Sequence, residues 1–308
     1  MVTAYITHPD CELHEMEPGH PESPQRLATI RSYLQERDVW KHLKHIKAPK
    51  ADKSDLYRVH RRDYVDQIFA TVPRRGMEVL GEDVVANQHT LDAALRAAGA
   101  VKKAVDVVMK RKVDNAFCAV RPPGHHAERG KAMGFCVFNN IAVGAAYALT
   151  AYSLDRIAVV DFDVHHGNGT EDTLHVDSRV LFCSSYQHPY YPFSVEDSSR
   201  SNVIHLPLHA GTSGEEFREW VQQYWMPRLN HFSPQLLMIS AGFDAHQADP
   251  LADIYLDERD YRWITRELKM IADQHCQGKL ISVLEGGYDL TALSRSVCAH
   301  IRELANLP

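Results

Sequence analysis

Short apolar, β-branched runs alternate along the chain with longer stretches in which apolar residues recur every three or four positions. The short runs predict strands at 2–7, 115–120, 156–161, 180–184, 202–206, 235–241 and 279–284. The longer ones predict helices at 24–37, 63–72, 90–110, 139–152, 214–225, 258–275 and 290–305. Runs such as IAVV and LLMIS are apolar without alternation, as in strands covered on both faces. Strand–helix alternation then predicts an α/β fold, one mainly parallel sheet with helices on both faces. No repeat, low-complexity tract or Pro/Gly/Ser linker divides the chain, so 1–308 reads as a single domain. Sheets of this kind bind ligands beyond the carboxyl ends of their strands, which directs attention to the residues that follow each strand.

Composition narrows the classes. At 308 residues the chain buries roughly 75% of its unfolded surface and needs no disulfide or metal in order to fold. Lys and Arg number 34 against 40 Asp and Glu, so the basic footprint of a nucleic-acid binder is missing. The six cysteines show no CxxC and fall partly in apolar runs, which favours reduced thiols and a reducing compartment. MVTAYITHPD does not read as a signal peptide, and the longest apolar stretch, 141–152, is too short for a bilayer. A cytoplasmic protein with neither membrane nor nucleic-acid partners is expected. Histidine, at 19, is the unusual count.

Four predicted strand ends carry chemistry. AFCAV is followed by Arg121-Pro122-Pro123-Gly124-His125-His126, and IAVV by Asp161-Phe162-Asp163-Val164-His165-His166. LLMIS leads to Ala241-Gly242-Phe243-Asp244, and ISVL to Glu285-Gly286-Gly287-Tyr288. Asp163 and His165, two apart in an extended segment, point to one side. With Asp244 they make a three-ligand set with an open position, the pattern of catalytic zinc. Two carboxylates and one imidazole are a harder set than the His-rich sites, so ferrous or another divalent ion stays open. The competing reading makes Asp163 a helix cap and His165 a loop histidine. A metal-activated water needs a base and an acid, for which the His125–His126 pair titrates in the right range. Asp161, not used as a ligand, is placed to orient one of the pair. Tyr288, after two glycines, is a candidate donor to a developing oxyanion.

On these residues the chain resembles a zinc-dependent deacetylase of the histone deacetylase and acetylpolyamine amidohydrolase superfamily. The resemblance runs nearly end to end, through HPESPQRL, NQHTLDAALRAAGA, RPPGHH, GFCVFNN, DFDVHHGNGTE, ISAGFDAHQADPL and LEGGYDL. HHGNGT and HPESPQRL resemble the class II branch and its bacterial relatives. It implies the arginase-deacetylase fold, with Asp163, His165 and Asp244 as zinc ligands. It further implies His126 as general base and acid, His125 beside Asp161 as electrostatic helper, and Tyr288 polarising the scissile carbonyl. Gly134 and Phe135 match one wall of the family's acyl-lysine tunnel. Tyr191 matches the opposite wall, with Tyr190 as competitor. A structural potassium ion is implied at the DxDxH loop, involving Asp161, Asp163, His165 and Ser184. Asn168 stands where the class I branch has an Asp, so its histidine partner lacks that charge. Gln247 replaces an Arg frequent in bacterial relatives, with no assignable effect.

The substrate expected is an acylated lysine in a protein or peptide, attacked by metal-activated water. A small acetylated amine such as an acetylpolyamine is the alternative. Polyamine-specific relatives resemble one another in a Glu gatekeeper shortly after the third ligand, where this chain has Leu251, which favours acyl-lysine. A two-metal ureohydrolase would want a carboxylate where Gly167 stands, and a non-catalytic relative would have lost a ligand, the His pair or Tyr288. His42 and His45, in HLKHIK, read as solvated surface. His246 reads as a neighbour of the site, and the four tryptophans as packing. Oligomeric state is left open.

Overall fold

A computed structural model describes residues 1–193 and 200–308. Its strands are β1 (Thr3–Thr7), β2 (Lys44–Lys47), β3 (Met77–Gly81), β4 (Val84–Asn87), β5 (Asn115–Cys118), β6 (Ile157–Asp161), β7 (Val180–Gln187), β8 (Val203–Leu208), β9 (Leu236–Ala241) and β10 (Leu280–Leu284). Eight of them form one sheet, β2-β1-β5-β10-β9-β6-β7-β8. Every pairing in it is parallel. All seven predicted strands lie in this sheet.

The helices are α1 (Gln25–Glu36), α2 (Lys53–Leu56), α3 (Arg62–Thr71), α4 (Thr90–Met109), α5 (Asn140–Ala151), α6 (Asn168–Leu174), α7 (Gly214–Trp220), α8 (Met226–Phe232), α9 (Glu258–His275) and α10 (Leu290–Leu304). Every residue of β5, β6, β9 and β10 is buried, as parallel strands with both faces covered must be. One cover is α4 with α5, and α1, α9 and α10 pack together as another. The small residues of α4 permit close approach: a Cβ on Gly99 would lie 2.0 Å from the Pro49 carbonyl. No described helix is long and apolar enough to cross a membrane.

Three local features go beyond the sequence reading. HLKHIK lies on the surface as expected, and its Lys44–Lys47 also forms β2, a parallel edge strand on β1; its exposed lysines suit an edge that must not pair further. The helix predicted at 214–225 runs on, because Val221–Trp225 adopts π geometry and feeds α8 to Phe232, with Pro227 tolerated in the first turn. An antiparallel hairpin, β3–β4, lies where no strand was predicted.

Candidate metal centre and active site

Four neighbouring strands, β5, β10, β9 and β6, end on one side of the sheet and deliver the chemistry. Asp163 and His165 follow β6, Asp244 follows β9, and their ligand atoms lie within 4.8 Å of one another. His165 Nδ1 is 3.0 Å from Asp163 Oδ1 and 3.3 Å from Asp244 Oδ2, and all three residues are buried. The carboxylates build this loop by accepting its backbone N–H groups. Asp161 Oδ1 accepts from Asp163 N at 3.1 Å, Asp163 Oδ1 from His165 N at 2.9 Å, and Asp244 Oδ1 from Val164 N at 2.9 Å.

Glycines let other strands close over the set. A Cβ on Gly242 would lie 2.1 Å from Asp163 Oδ2, and one on Gly286 only 1.9 Å from Asp244 Oδ2. Gly286 N donates to Asp163 Oδ2 at 2.8 Å. Asp244 Oδ2 is buried with no hydrogen-bond donor. Two buried carboxylates, one with an unmet oxygen, facing an imidazole fit a divalent cation, which would neutralise charge otherwise costly to bury. Ser184 Oγ, register partner of Asp161 across β6 and β7, is likewise buried and unpartnered.

The histidine pair is held by different partners. His125 Nδ1 lies 2.9 Å from Asp161 Oδ2, and His126 Nδ1 lies 2.7 Å from Asn168 Oδ1. Asn168 Nδ2 donates to Glu128 Oε1 at 2.8 Å, and a carboxylate only accepts, so the Asn168 oxygen faces His126. His126 therefore carries its proton on Nδ1 and keeps Nε2 as a base. Burial lowers the pKa of both rings, but at His125 the carboxylates of Asp163 and Asp161 outweigh it and raise the value well above 6.5. At His126, burial and repulsion from His125 and His165 push the value well below 6.5. The pair is thus driven in opposite directions, His125 toward its charged form and His126 toward its neutral one.

A narrow cavity of about 90 Å³ opens over the centre, lined by Asp83, His126, Gly134, Phe135, His165, Tyr191, Leu251 and Tyr288. Phe135 meets Tyr288 edge-on at 5.9 Å, and Tyr191 meets His126 edge-on at 5.2 Å. Gly134 sits at φ 56°, and a Cβ there would lie 2.1 Å from the His126 ring. Of the two competing tyrosines, Tyr191 lines the cavity; Tyr190 stacks on His165 at 5.8 Å and donates to the Leu251 carbonyl.

The structure brings together the residues read as metal ligands, catalytic groups and tunnel walls and adds three. Asp83, in the β3–β4 turn, accepts from Tyr191 Oη and Gly134 N at 2.9 Å each. Asp249 Oδ2 accepts from Tyr288 N at 2.6 Å and its Oδ1 from Leu251 N at 3.1 Å, tying the cavity rim to the tyrosine. Glu285 Oε2 accepts from Gly124 N and His125 N, fixing the turn before the pair. Sequence reasoning missed Asp83 because its hairpin went unseen, although Gly81-Glu82-Asp83 between EVL and VVA is a turn signal. His246 is buried and bonded to its own loop through Ala248 N, outside the cavity lining.

Comparison with known proteins bears on this geometry. The Histone deacetylase domain family matches residues 20–304. A probable deacetylase of Archaeoglobus fulgidus is 35% identical, over 94% of this chain and 82% of its own length. The polyamine deacetylase HDAC10 of Danio rerio is 33% identical, over 98% of this chain and 46% of its own. The crystal structure of the HDA15 HD domain superposes with a TM-score of 0.93 at 32% identity, covering 99% of this chain and 88% of that one. The fold is therefore the arginase-deacetylase fold, and the chain belongs to the histone deacetylase family of hydrolytic deacetylases.

Proposed function

We propose that residues 1–308 act as one catalytic domain that removes acetyl or other acyl groups from lysine side chains. The observation that carries this is the buried Asp163–His165–Asp244 set, whose His165 lines a narrow cavity together with His126 and Tyr288. Zn²⁺, or Fe²⁺ in its place, held by those three residues would supply Lewis-acid activation of water and of the acyl carbonyl. His126 Nε2, neutral through burial, takes the proton from the attacking water and returns it to the leaving amine. His125, charged against Asp161 and Asp163, stabilises negative charge as it develops. Burial raises the Tyr288 pKa well above 10, so its hydroxyl stays a donor to the oxyanion. Phe135 and Tyr191 flank the acyl-lysine stem and exclude water, while Gly134 leaves room for His126.

Ser184 Oγ and the loop around Asp161, Asp163 and His165 would hold a structural K⁺. Six buried free thiols support a reducing compartment such as the cytoplasm. A small acetylated polyamine is the second reading, favoured by Glu15 and Glu17 in a depression of about 440 Å³ that includes His20, whose ring abuts Phe135. The test is acetate release from an acetyl-lysine peptide by the zinc-loaded protein. Turnover that disappears in Asp244→Asn supports the reading; no turnover by the parent protein, or full turnover by the variant, overturns it.

A further inference from the structure

Among the described residues one further group of metal-ligating side chains converges, and the deacetylase reaction has no use for it. His166 directly follows His165, Glu171 lies in α6, and His205 lies in β8. Glu171 Oε2 is 2.9 Å from His166 Nε2 and 3.4 Å from His205 Nε2, and the three ligand atoms fall within 4.8 Å of one another.

Ligand atoms around a tetrahedral ion with bonds of about 2.0 Å sit about 3.3 Å apart. The Asp163–His165–Asp244 centre shows 3.0 and 3.3 Å between its imidazole and its carboxylates, so the two groups share one spacing. The supports are rigid. Tyr186, on β7, meets the His166 ring at 4.8 Å and the His205 ring at 5.9 Å, and Glu171 is held in the short helix that follows His166. His166 is buried and the His205 side chain is 17% exposed.

We propose that His166, Glu171 and His205 form a second binding site for a divalent ion of the zinc class. Two imidazoles and one carboxylate are softer than the first centre's two carboxylates and one imidazole. The second site therefore selects Zn²⁺, Ni²⁺ or Cu²⁺ over Mg²⁺ or Ca²⁺. Three protein ligands leave a position for water. An ion there ties the loop that carries His165 to β8 and stabilises the folded chain by mass action.

The experiment is metal stoichiometry on the full chain. Protein stripped with a chelator is dialysed against Zn²⁺ and its content measured by elemental analysis, with Co²⁺ spectra as a second readout. The parent protein is expected to hold two equivalents, Glu171→Gln and His205→Gln one each, and the double variant Asp163→Asn/Asp244→Asn still one. The second equivalent raises the parent Tm, and affinity for it falls by at least about tenfold in either single variant. One equivalent at saturation in the parent overturns the proposal, whether or not the variants fold. So does a second equivalent that both single variants retain, which assigns it to other surface histidines.

Discussion

Tyr288 is the side chain on which the chemistry turns most sharply. Asp249 grips its backbone N–H, and its ring lies between Phe135 and the Arg26 guanidinium, 5.0 Å away. Tyr288→Phe keeps the packing and deletes the donor, so kcat should fall by about 10²–10³-fold with little change in KM, read from steady-state kinetics. A loss confined to KM would place the hydroxyl in substrate binding instead. At this scale much of the site is legible from spacing. Asp163, His165 and Asp244 stand at predicted strand ends, and an imidazole two residues from a carboxylate is a recognisable ligand pair. Asp83, Asp249 and Glu285 are a different matter. Each accepts a backbone N–H from a segment 39 or more residues away, as Gly124, Tyr288 and Gly134 show, and no local pattern marks such an acceptor.

Among the elements, the loops after β6, β9 and β10 interlock through glycine. The Cβ of a Gly286→Ala variant would fall within bonding distance of Asp244 Oδ2, so the β10 loop must retreat and take its N–H from Asp163. The variant should bind Zn²⁺ at least about tenfold more weakly, measured by competition with a chromophoric chelator. Unchanged affinity would show that the loop yields without disturbing the ligands. Element boundaries follow local chemistry where that chemistry is strong. The helix predicted at 258–275 coincides with α9, whose Asp257 and Asp260 form a capping box. Helix 90–110 differs from α4 by one residue. Helix 214–225 stopped too early because Met226-Pro227 reads as a breaker, and nothing local announces the π turn that carries the chain past it. The edge strand β2 was hidden because its lysines and histidine mark only a solvated surface, and only pairing with β1 makes it a strand.

Across the whole molecule, the parallel sheet buries titratable groups that set its acid limit. Burial lowers His60 and His14 to about 4 and His300 to about 3. His60 Nε2 accepts from Asn139 N and its Nδ1 meets the Glu128 carbonyl, so the neutral tautomer is the one that fits. Below pH 6.5 the unfolded chain binds protons on these rings that the folded chain refuses until about pH 4. Their contribution is complete above 6.5 and shrinks by up to about 1.4 kcal/mol per pH unit for each ring as pH falls. Between pH 7 and 5 the urea midpoint of chelator-treated His60→Gln should therefore fall less, relative to its value at pH 7, than that of the parent; parallel pH profiles would contradict this. The overall fold class was legible because apolar strands and amphipathic helices alternate so regularly. The sheet order was not, since β10, last in sequence, inserts between β5 and β9. That insertion is what brings Tyr288 to the ligands. The central claim, a metal-dependent deacetylase selective for acyl-lysine, is tested most directly by measuring kcat/KM in parallel on an acetyl-lysine peptide, acetylputrescine and acetylspermidine, with zinc-loaded parent and Leu251→Glu proteins. The account predicts that the peptide wins with the parent and that the glutamate shifts preference toward the polyamines. A parent protein that prefers the polyamines would contradict it.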